Sequence, residues 1–590
     1  MMKNWINKQS MMTMTLLVSL SASAQTICND NGTVTFNYHN AQAKKVAVDV
    51  QFAGKHDMTF DKKTGIWSVT LGPAAPDMYP YHFEVDGLSI MDPLCKDYFP
   101  NEGFKNSLLE MKSNKGKLAH DILPVGHGRI EYIHYYSKNL GATNNAIVYT
   151  PSGYYDEANK DKKYPVFYLI SGTTDTEEVY YKVGRMNYIL DNLIAEGKAQ
   201  EMIIVLPYGN PTKLKDKVPA DARAQGDLFS NDLNDDLMPY IEANYRTIND
   251  ADHRAIGGFS RGGNQALYNG LRHLDKFSYL CSYSSFTSTD IPDVYEQADS
   301  TNSKINLLWL GVGTDDFLYG TARDYMEFLD KHGIRAAKTF TYDKFGHTWM
   351  NAKYFLAKTL PLLFNKKASR LAMEYTVPTR KATGKEKPFN LEVMSRLFPK
   401  PIVSPEYGDD HSVTFRIKAP EAQEVHVNLI ADGENKSLKM TKDTTGVWSV
   451  TTKLENIKLP ETLDKAVTHH AYYKYFFDVD GMHVVDPNDM YLADDNEEKY
   501  SIALNPDDEY YEPNMGDIAY GKVVVDPNNN TATYYPANKY WKAGEAPRRI
   551  VLNGTEPIQG MTRLGGIASV ADRLLANGAE PFIITVRGNL

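Results

Sequence analysis

A serine with small neighbours on both sides gives the first indication of chemistry in this chain. Ser260 lies in Gly258-Phe259-Ser260-Arg261-Gly262, with an apolar run before it and a helix-like segment after it. This Gly-x-Ser-x-Gly pattern is typical of a sharp turn between a strand and a helix, which lets the serine project from the edge of a sheet. The pattern predicts a nucleophile, which needs a general base and a carboxylate that orients the base.

Three histidines follow Ser260 in the same part of the chain, and their surroundings separate them. His273 lies on the helix that leaves the serine, and His332 precedes a glycine at a helix end. His347 lies in a glycine-containing loop between a strand-like run and a helix. We therefore predict His347 as the base, with an ordinary loop histidine bonded to backbone as the alternative.

Two adjacent carboxylates are candidates for the residue that orients the histidine. Asp315 and Asp316 directly follow an apolar strand-like run that ends in Gly313-Thr314. From the residues alone, either can serve His347 while the other caps the following helix. Asp343 is a weaker candidate because it is so close to the histidine in sequence.

Two stretches offer backbone N–H groups for the negative charge that forms when an ester carbonyl is attacked. One donor is the amide of Arg261, directly after the serine, and the other comes from an earlier corner between a strand and a loop. We predict that corner at Ser171-Gly172-Thr173, with Gly172 and Thr173 as the donors. Loss of one such donor typically costs about 3 to 4 kcal/mol of transition-state stabilisation.

Aromatic residues near these segments are candidates for contact with a substrate ring. Tyr180, Tyr181, Phe317, Tyr319 and Trp349 could stack on an aromatic acid or a sugar, and packing in the core or at its rim is the alternative for each. No metal or other cofactor is predicted. The three cysteines lack the spacing of a zinc site, and Asp478-Val479-Asp480-Gly481 lacks the full spacing of a calcium loop.

The elements that must position these residues follow an alternating pattern. Between residues 122 and 365, apolar strand-like runs alternate with amphipathic helical stretches. Such alternation predicts a mostly parallel sheet with helices on both faces. Ser260 lies between one such strand and helix, where α/β folds place their chemistry.

Segments on either side of this region repeat each other. Thr64-Gly65-Ile66-Trp67 returns as Thr445-Gly446-Val447-Trp448, and an Asp-Pro pair follows in both copies, at Asp92 and Asp486. Both copies alternate apolar and polar residues between turn signals, which predicts two immunoglobulin-like β-sandwiches.

The last part of the chain begins a second α/β unit. The segment from Arg549 to Thr555 resembles the one from Tyr168 to Thr173. No nucleophile motif follows the second copy, and a half sheet would leave apolar edges uncovered. One hypothesis is that the chain is the front part of a tandem protein; the alternative is a degenerate appendage packed on the second sandwich.

Length and charge agree with a multidomain, exported protein. The 590 residues exceed a single core, and the net charge of −10 disfavours nucleic acid as a partner. A basic start, a short apolar run and Ala22-Ser23-Ala24 predict a signal peptide and a periplasmic or secreted location, without a membrane span. The predicted order is signal peptide 1–24, β-sandwich 25–118, α/β-hydrolase 122–365, linker 366–402, second β-sandwich 403–510 and partial hydrolase unit 515–590.

With these residues assembled, the central region resembles the esterase-D-like α/β-hydrolases of carbohydrate esterase family 1, which includes bacterial feruloyl esterases. The resemblance depends on the serine motif and on segments at 168–172, 184–185, 191–197, 235–242, 313–316 and 346–347. It implies that the Gly-Thr-x-Asp segment supplies the acid, which selects Asp316. Two positions depart from the family: Arg261 replaces a usual Met, and Ser171 replaces a usual His. Both positions contribute mainly backbone to the oxyanion site, so hydrolysis should persist. Arg261 could either alter the acyl pocket or bind a carboxylate, which leaves the acyl group open.

The two sandwiches resemble carbohydrate-binding modules of family 48. Together the resemblances imply a serine esterase that acts on plant cell-wall polysaccharide, with ferulate on arabinoxylan as the expected ester. The alternatives are an acetyl-xylan or siderophore-type esterase and, from another class, a glycan-binding protein without catalysis.

Overall fold

The computed structural model describes the chain except for residues 1–24, 114–115, 211–226, 343–345, 382–383, 385–401, 432, 458–470, 496–497, 506, 508–515, 517, 527–530, 542–546, 554–560, 563–565 and 588–590. The predicted signal peptide and Asp343 therefore lie outside the described residues. The chain divides into two compact units, of which one comprises Met1–Gly116, Pro401–Glu455 and Tyr473–Ala503. The other comprises Lys117–Lys400, Asn456–Tyr472 and Leu504–Leu590.

The N-terminal part forms two antiparallel sheets with alternating buried and exposed side chains. Its strands are β1 (Ile27–Cys28), β2 (Val34–His39), β3 (Val46–Val50), β4 (Gly54–Asp57), β5 (Thr59–Asp61), β6 (Ile66–Leu71), β7 (Met78–Val85), β8 (Leu88–Ile90) and β9 (Ser107–Glu110). One sheet has the order β1-β2-β6-β5, and the other has β4-β3-β7-β8 with β9 also paired to β7. Val34, Phe36, Val48 and Phe83 are fully buried on the inner faces.

The central region is the alternating α/β region of the sequence. Its strands are β10 (Arg129–Ser137), β11 (Ala142–Thr150), β12 (Val166–Ile170), β13 (Ile203–Pro207), β14 (Arg254–Phe259), β15 (Tyr279–Tyr283), β16 (Leu307–Gly313) and β17 (Ala337–Thr341). Its α-helices are α1 (Val179–Lys182), α2 (Met186–Ala195), α3 (Leu228–Asn231), α4 (Met238–Asn244), α5 (Arg261–Arg272), α6 (Pro292–Tyr295), α7 (Ala298–Lys304), α8 (Tyr319–Lys331), α9 (Trp349–Thr359) and α10 (Lys366–Glu374). A π-helical turn, Asp232–Leu237, joins α3 to α4.

These central strands form one sheet that positions the candidate site. The order is β17-β16-β15-β14-β12-β13-β11-β10; the pairs from β17 to β13 are parallel, and β11 and β10 are added antiparallel. Every residue of β12, β13, β14, β15 and β16 is buried, as expected for parallel strands covered on both faces. Ser260 therefore follows β14, an interior strand of the sheet, and Asp316 lies just past the end of β16, which is the neighbour of the edge strand β17.

The second repeat forms a further pair of sheets. Its strands are β18 (Glu406–Tyr407), β19 (Val413–Lys418), β20 (Val425–Ala431), β21 (Glu434–Lys439), β22 (Thr441–Lys442), β23 (Val447–Thr452), β24 (Tyr472–Val479), β25 (Met482–Val484), β26 (Leu492–Asp495) and β27 (Glu498–Leu504). The sheet orders are β18-β19-β23-β22 and β21-β20-β24-β27-β26 with β25 beside β24. The strand pairing of the first copy thus recurs in the second.

The repeated Asp-Pro pairs have a structural role in both copies. Asp92 Oδ2 accepts a hydrogen bond from Tyr81 at 2.7 Å, and Asp486 Oδ2 accepts one from Tyr475 at 2.9 Å. The backbone N–H of each aspartate donates to a serine hydroxyl, Ser107 or Ser501. These buried contacts hold the strand ends together in both copies, which gives the repeated aspartate a structural role.

The C-terminal strands extend the central sheet. β28 (Lys522–Asp526), β29 (Thr531–Tyr535), β30 (Arg548–Asn553) and β31 (Phe582–Arg587) follow β10 in the order β28-β29-β31-β30, and helix α11 (Ile567–Ala576) packs with its apolar side buried. We expected either an uncovered half sheet or packing on the second sandwich. In the structure β28 pairs antiparallel with β10, so each strand covers the other's open edge.

No helix in the described part of the chain is both long and apolar enough to cross a membrane.

Candidate active site

The turn between β14 and α5 holds Ser260 in a backbone conformation that few residues adopt. Its φ is 57° and its ψ is −122°, and its N–H donates to the carbonyl of Tyr283 at 2.9 Å. A Cβ on Gly258 would lie 2.4 Å from the backbone carbon of Gly262, and a Cβ on Gly262 would lie 2.1 Å from the carbonyl oxygen of Ile170. Both glycines are required because strand and helix approach each other this closely.

His347 lies between the serine and an aspartate, within hydrogen-bond distance of both. Its Nε2 is 2.8 Å from Ser260 Oγ, and its Nδ1 is 3.0 Å from each carboxylate oxygen of Asp316. A carboxylate only accepts hydrogen bonds, so Nδ1 carries the proton and donates it. Nε2 is then the acceptor for the serine hydroxyl, which is the arrangement a general base requires.

The surroundings of Asp316 distinguish it from its neighbour. The Asp316 side chain is fully buried, and its Oδ1 also accepts a hydrogen bond from the Leu318 N–H at 2.8 Å. Asp315 is exposed. Burial and a second donor fix the Asp316 carboxylate in place, so it can hold the imidazole in one orientation.

The other two histidines lie away from the serine. His273 follows the last residue of α5 and bonds through its N–H to the carbonyl of Asn269. His332 is exposed, and its Nδ1 is 2.8 Å from the carbonyl of Phe328 within the end of α8. Both therefore have positions typical of helix C-termini, as their sequence context indicated.

The predicted oxyanion corner lies beside the serine turn, but its two candidate donors differ. The Gly172 N–H donates to Asp175 Oδ2 at 3.1 Å, so it is already engaged. Among the residues that the structure describes, none accepts a hydrogen bond from the Thr173 N–H. Of the two predicted donors, the Thr173 N–H is thus the one that no described residue engages. Sequence reasoning missed Asp175, although an aspartate shortly after a glycine corner is a usual turn partner.

The Arg261 side chain reaches the same corner. Its Nη2 donates to the carbonyl of Gly172 at 2.7 Å and approaches that of Ser171 at 3.4 Å. A Cβ on Gly209 would lie 2.7 Å from this nitrogen, so that glycine leaves room for the guanidinium. Arg261 therefore connects the start of α5 to the loop after β12 and keeps both sides of the corner at a fixed separation.

The aromatic candidates have different positions from those expected of substrate contacts. Tyr180 and Trp349 are only 1% and 6% exposed and pack edge to face at 4.7 Å. Trp349 also packs on Phe259, the residue before the serine. Both rings are therefore packed in the core, which was the alternative to substrate contact for each, and they present almost no surface to a substrate. Tyr181 is half-buried at the end of α1.

Phe317 contacts the ring of His347 and is also exposed to solvent. Its ring centroid is 4.4 Å from that of His347, and 46% of the residue is exposed. Its place directly after Asp316 was visible in the sequence, but nothing there indicated that the ring faces outward.

In the described ranges, no group of three or more His, Cys, Asp or Glu side chains is arranged to hold a metal ion.

The fold and this geometry define an α/β enzyme domain with a serine at a strand-to-helix turn, and family comparisons agree. Residues 137–348 match the family model described as "Putative esterase". Residues 403–495 match the model of carbohydrate-binding module 48, the isoamylase N-terminal domain. One region of the chain thus matches an esterase family model, and a later region matches the model of a family 48 carbohydrate-binding module.

Two relatives are similar to part of this chain. An endo-1,4-beta-xylanase/feruloyl esterase from Xylanibacter ruminicola is 30% identical over 270 residues, which is 45% of this chain and 37% of that protein. Endo-1,4-beta-xylanase Y from Acetivibrio thermocellus is 23% identical over 262 residues, which is 38% of this chain and 22% of that protein. The chain thus covers well under half of the length of either relative. A solved ferulic acid esterase from Anaeromyces mucronatus is 25% identical and aligns with 42% of this chain and 94% of its own, with a TM-score of 0.37.

Proposed function

We propose that the chain is an exported serine esterase that removes acyl groups, above all ferulate, from plant cell-wall polysaccharide such as arabinoxylan. The observation that carries this proposal is the hydrogen-bonded series Ser260–His347–Asp316 at a strand-to-helix turn. The name of the Xylanibacter ruminicola relative supports ferulate as the acid and xylan as the polymer. The family 48 module supports a polysaccharide partner.

In the first half of this reaction, the ester acylates the enzyme. His347 Nε2 takes the proton of Ser260, whose oxygen attacks the ester carbonyl. Buried Asp316 stabilises the imidazolium that forms. The N–H groups of Arg261 and Thr173 hold the oxyanion, and the proton on His347 then passes to the departing sugar oxygen.

In the second half, water releases the acid. His347 removes a proton from a water molecule, which attacks the acyl-serine carbonyl, and the same backbone donors hold the second oxyanion. Collapse of this intermediate returns the proton to Ser260 Oγ and frees the carboxylic acid. Each step uses only protein groups and water, so the reaction needs no metal or other cofactor.

Exposed Phe317 is the residue that we propose contacts the acyl group. Its ring lies against His347, so an aromatic acid bound to Ser260 would pass beside it. An offset or edge contact between two aromatic rings contributes about 0.5 to 1.5 kcal/mol. This contact favours ferulate over acetate as the acid.

Both β-sandwiches are proposed as immunoglobulin-like modules that flank the catalytic domain and keep it near its polymer. Trp67 and Trp448 do not supply the sugar platform, because both are buried and donate through Nε1 to a backbone carbonyl. A sugar-binding face would therefore use other side chains.

The experiment is an assay of the purified protein on feruloylated arabino-oligosaccharides beside acetylated xylan. Ser260→Ala should lower turnover by about a million-fold, judged from other triads. Ser300→Ala, an exposed serine on α7, is the matched control and should keep the native rate. Equal activity of the Ser260 variant would refute the mechanism; xylan binding with no esterase activity in the native protein would favour the glycan-binding alternative.

A further inference from the structure

Strand β10 belongs to a first α/β unit, formed by β10 to β17, and β28 belongs to a second α/β unit, formed by β28 to β31 and α11. The pairing of β10 with β28 joins these two units, and the two have matching internal contacts. In the first unit, Asp191 Oδ1 accepts hydrogen bonds from the Gly128 N–H at 3.1 Å and from the Tyr149 hydroxyl. In the second, Asp572 Oδ1 accepts them from the Gly521 N–H at 2.7 Å and the Tyr534 hydroxyl at 2.6 Å.

The glycines in these contacts have the same neighbours. A Cβ on Gly128 would lie 2.2 Å from the Tyr149 ring, and one on Gly521 would lie 2.5 Å from the Tyr534 ring. The strand orders β10-β11-β13-β12 and β28-β29-β31-β30 also correspond. Gly521 therefore matches Gly128, and β28 matches the first part of β10, from Arg129 to Ile133.

The register between the two matching strands is that of a two-fold interface. Ile130 is opposite Val525, and Tyr132 is opposite Val523. Counted from the matched glycines, Val523 corresponds to Ile130 and Val525 corresponds to Tyr132. The pairing is therefore reciprocal, as in the self-complementary contacts of symmetric dimers. The local axis passes through Glu131 and its opposite residue, Val524.

An ion pair between Lys522 of the second α/β unit and Glu131 of the first makes the interface asymmetric. Lys522 Nζ donates to Glu131 Oε2 at 2.8 Å and to the Tyr155 hydroxyl at 2.6 Å. It also lies 5.1 Å from the ring centroids of Tyr155 and Tyr245. The Glu131 side chain is fully buried, so it depends on these partners. Val524 stands at the matching place in the second unit and has no carboxylate.

The β-sandwich unit shows the same reciprocal arrangement independently. Met91, Tyr98, Val485 and Leu492 form a small buried cluster that joins the two copies. Met91 and Val485 both directly precede the repeated Asp-Pro, and Tyr98 and Leu492 follow it at the same distance. Residues at equivalent positions of the two sandwich copies therefore lie in the same cluster.

From these contacts we infer that β10 is a hydrolase–hydrolase interface, and that the described elements β28 to β31 and α11 of the same chain occupy the place of the second hydrolase. Lys522 anchors this internal partner in the cage of Glu131, Tyr155 and Tyr245. The chain is an internal pseudo-dimer, in which β10 is closed to a second copy.

Paired cysteines test the register and whether the contact is within one chain. Ile130→Cys with Val525→Cys places two thiols directly opposite, and mild oxidation should give an intrachain disulfide that peptide mass mapping detects. Ile130→Cys with Val523→Cys is the control, because diagonal neighbours are about 7–8 Å apart and should not cross-link. An interchain bond, or no bond in the opposed pair, would overturn the inference.

Hydrogen exchange of the intact protein tests the anchor. Lys522→Glu places a second carboxylate beside buried Glu131, so amides of β28 should exchange at least about tenfold faster, while those of β14 keep the native rate. Lys522→Arg should preserve protection, and Lys539→Glu, the same charge change at an exposed site, should exchange like the native chain. Native protection of β28 in Lys522→Glu would contradict the role of the cage.

Discussion

The two α/β units of this chain share a packing framework and differ in chemistry. In both, a glycine N–H and a tyrosine hydroxyl meet one buried aspartate, Asp191 or Asp572. Ser260, Asp316 and His347 all belong to the first unit. The Gly-Tyr-Asp contact is therefore a structural feature that both units share, whereas the proposed catalytic groups belong to the first α/β unit alone among the described residues.

A single partner separates the two buried aspartates. His127 Nδ1 lies 3.0 Å from Asp191 Oδ2, but Asp572 Oδ2 is buried with no hydrogen-bond partner in the described chain. Burial raises the pKa of both; the contacts of Asp191 with Tyr149 and His127 oppose the rise, while the pKa of Asp572 reaches about 7. In the first α/β unit, hydrogen bonds thus offset more of the cost of burying the charged aspartate than they do in the second.

The largest effect within the site, after loss of the nucleophile itself, is expected from Asp316→Asn. The amide would stabilise the wrong tautomer of His347, so turnover on a ferulate ester should fall by about ten-thousand-fold. Asp315→Asn changes the exposed neighbour and should leave the rate near native. Steady-state kinetics of the two variants separates them, and an equal loss in both would contradict the choice of Asp316.

The next effect concerns the oxyanion donor at the corner after β12. Thr173→Pro removes the N–H, and turnover should fall by about a hundred- to a thousand-fold with little change in KM. Thr173→Ala keeps the N–H and should retain most of the activity. If Thr173→Ala lost as much as Thr173→Pro, the hydroxyl rather than the amide would be the active group.

A smaller effect is expected from Arg261→Met. The guanidinium would no longer bond the Gly172 carbonyl, so the corner would be held less firmly and kcat should fall by about tenfold. Arg272→Met, at the exposed end of the same helix, is the control for loss of positive charge. A large rise in KM with unchanged kcat would instead indicate that Arg261 contacts the substrate.

Asp572→Asn should leave turnover unchanged and affect only the stability of the second α/β unit. Because its pKa is raised to about 7 in the folded chain, ionisation of Asp572 destabilises the second unit as pH rises from about 4 to about 7. The asparagine variant should lose this pH dependence in urea unfolding or in hydrogen exchange of β31. A variant with the same pH dependence as the native protein would exclude Asp572 as its source.

Much of the site was predictable because its signals are local. The glycines around Ser260, the loop around His347 and the strand before Asp316 each restrict a few neighbouring residues. The choice between Asp315 and Asp316 required the resemblance to a family, since both follow the same strand. The engagement of the Gly172 N–H by Asp175 depends on loop geometry that no periodicity encodes.

The fold was predictable element by element but not in its sheet order. Alternation of strands and helices indicated two α/β units, yet it does not specify which edges pair. The β10–β28 contact depends on a reciprocal register and on the fit of Lys522 between Glu131 and Tyr155. Neither feature is visible until the two strands are side by side.

Mass spectrometry of the acyl-enzyme tests the central claim most directly. The native protein, mixed rapidly with a nitrophenyl ester of ferulic acid and quenched in acid, should carry one feruloyl group per chain, on the peptide that contains Ser260. The Ser260→Ala variant should carry none. Acylation at another residue would contradict the assignment of Ser260 as the nucleophile and of the first α/β unit as the site of the reaction. Hydrolysis without any labelled peptide under burst conditions would contradict both assignments as well.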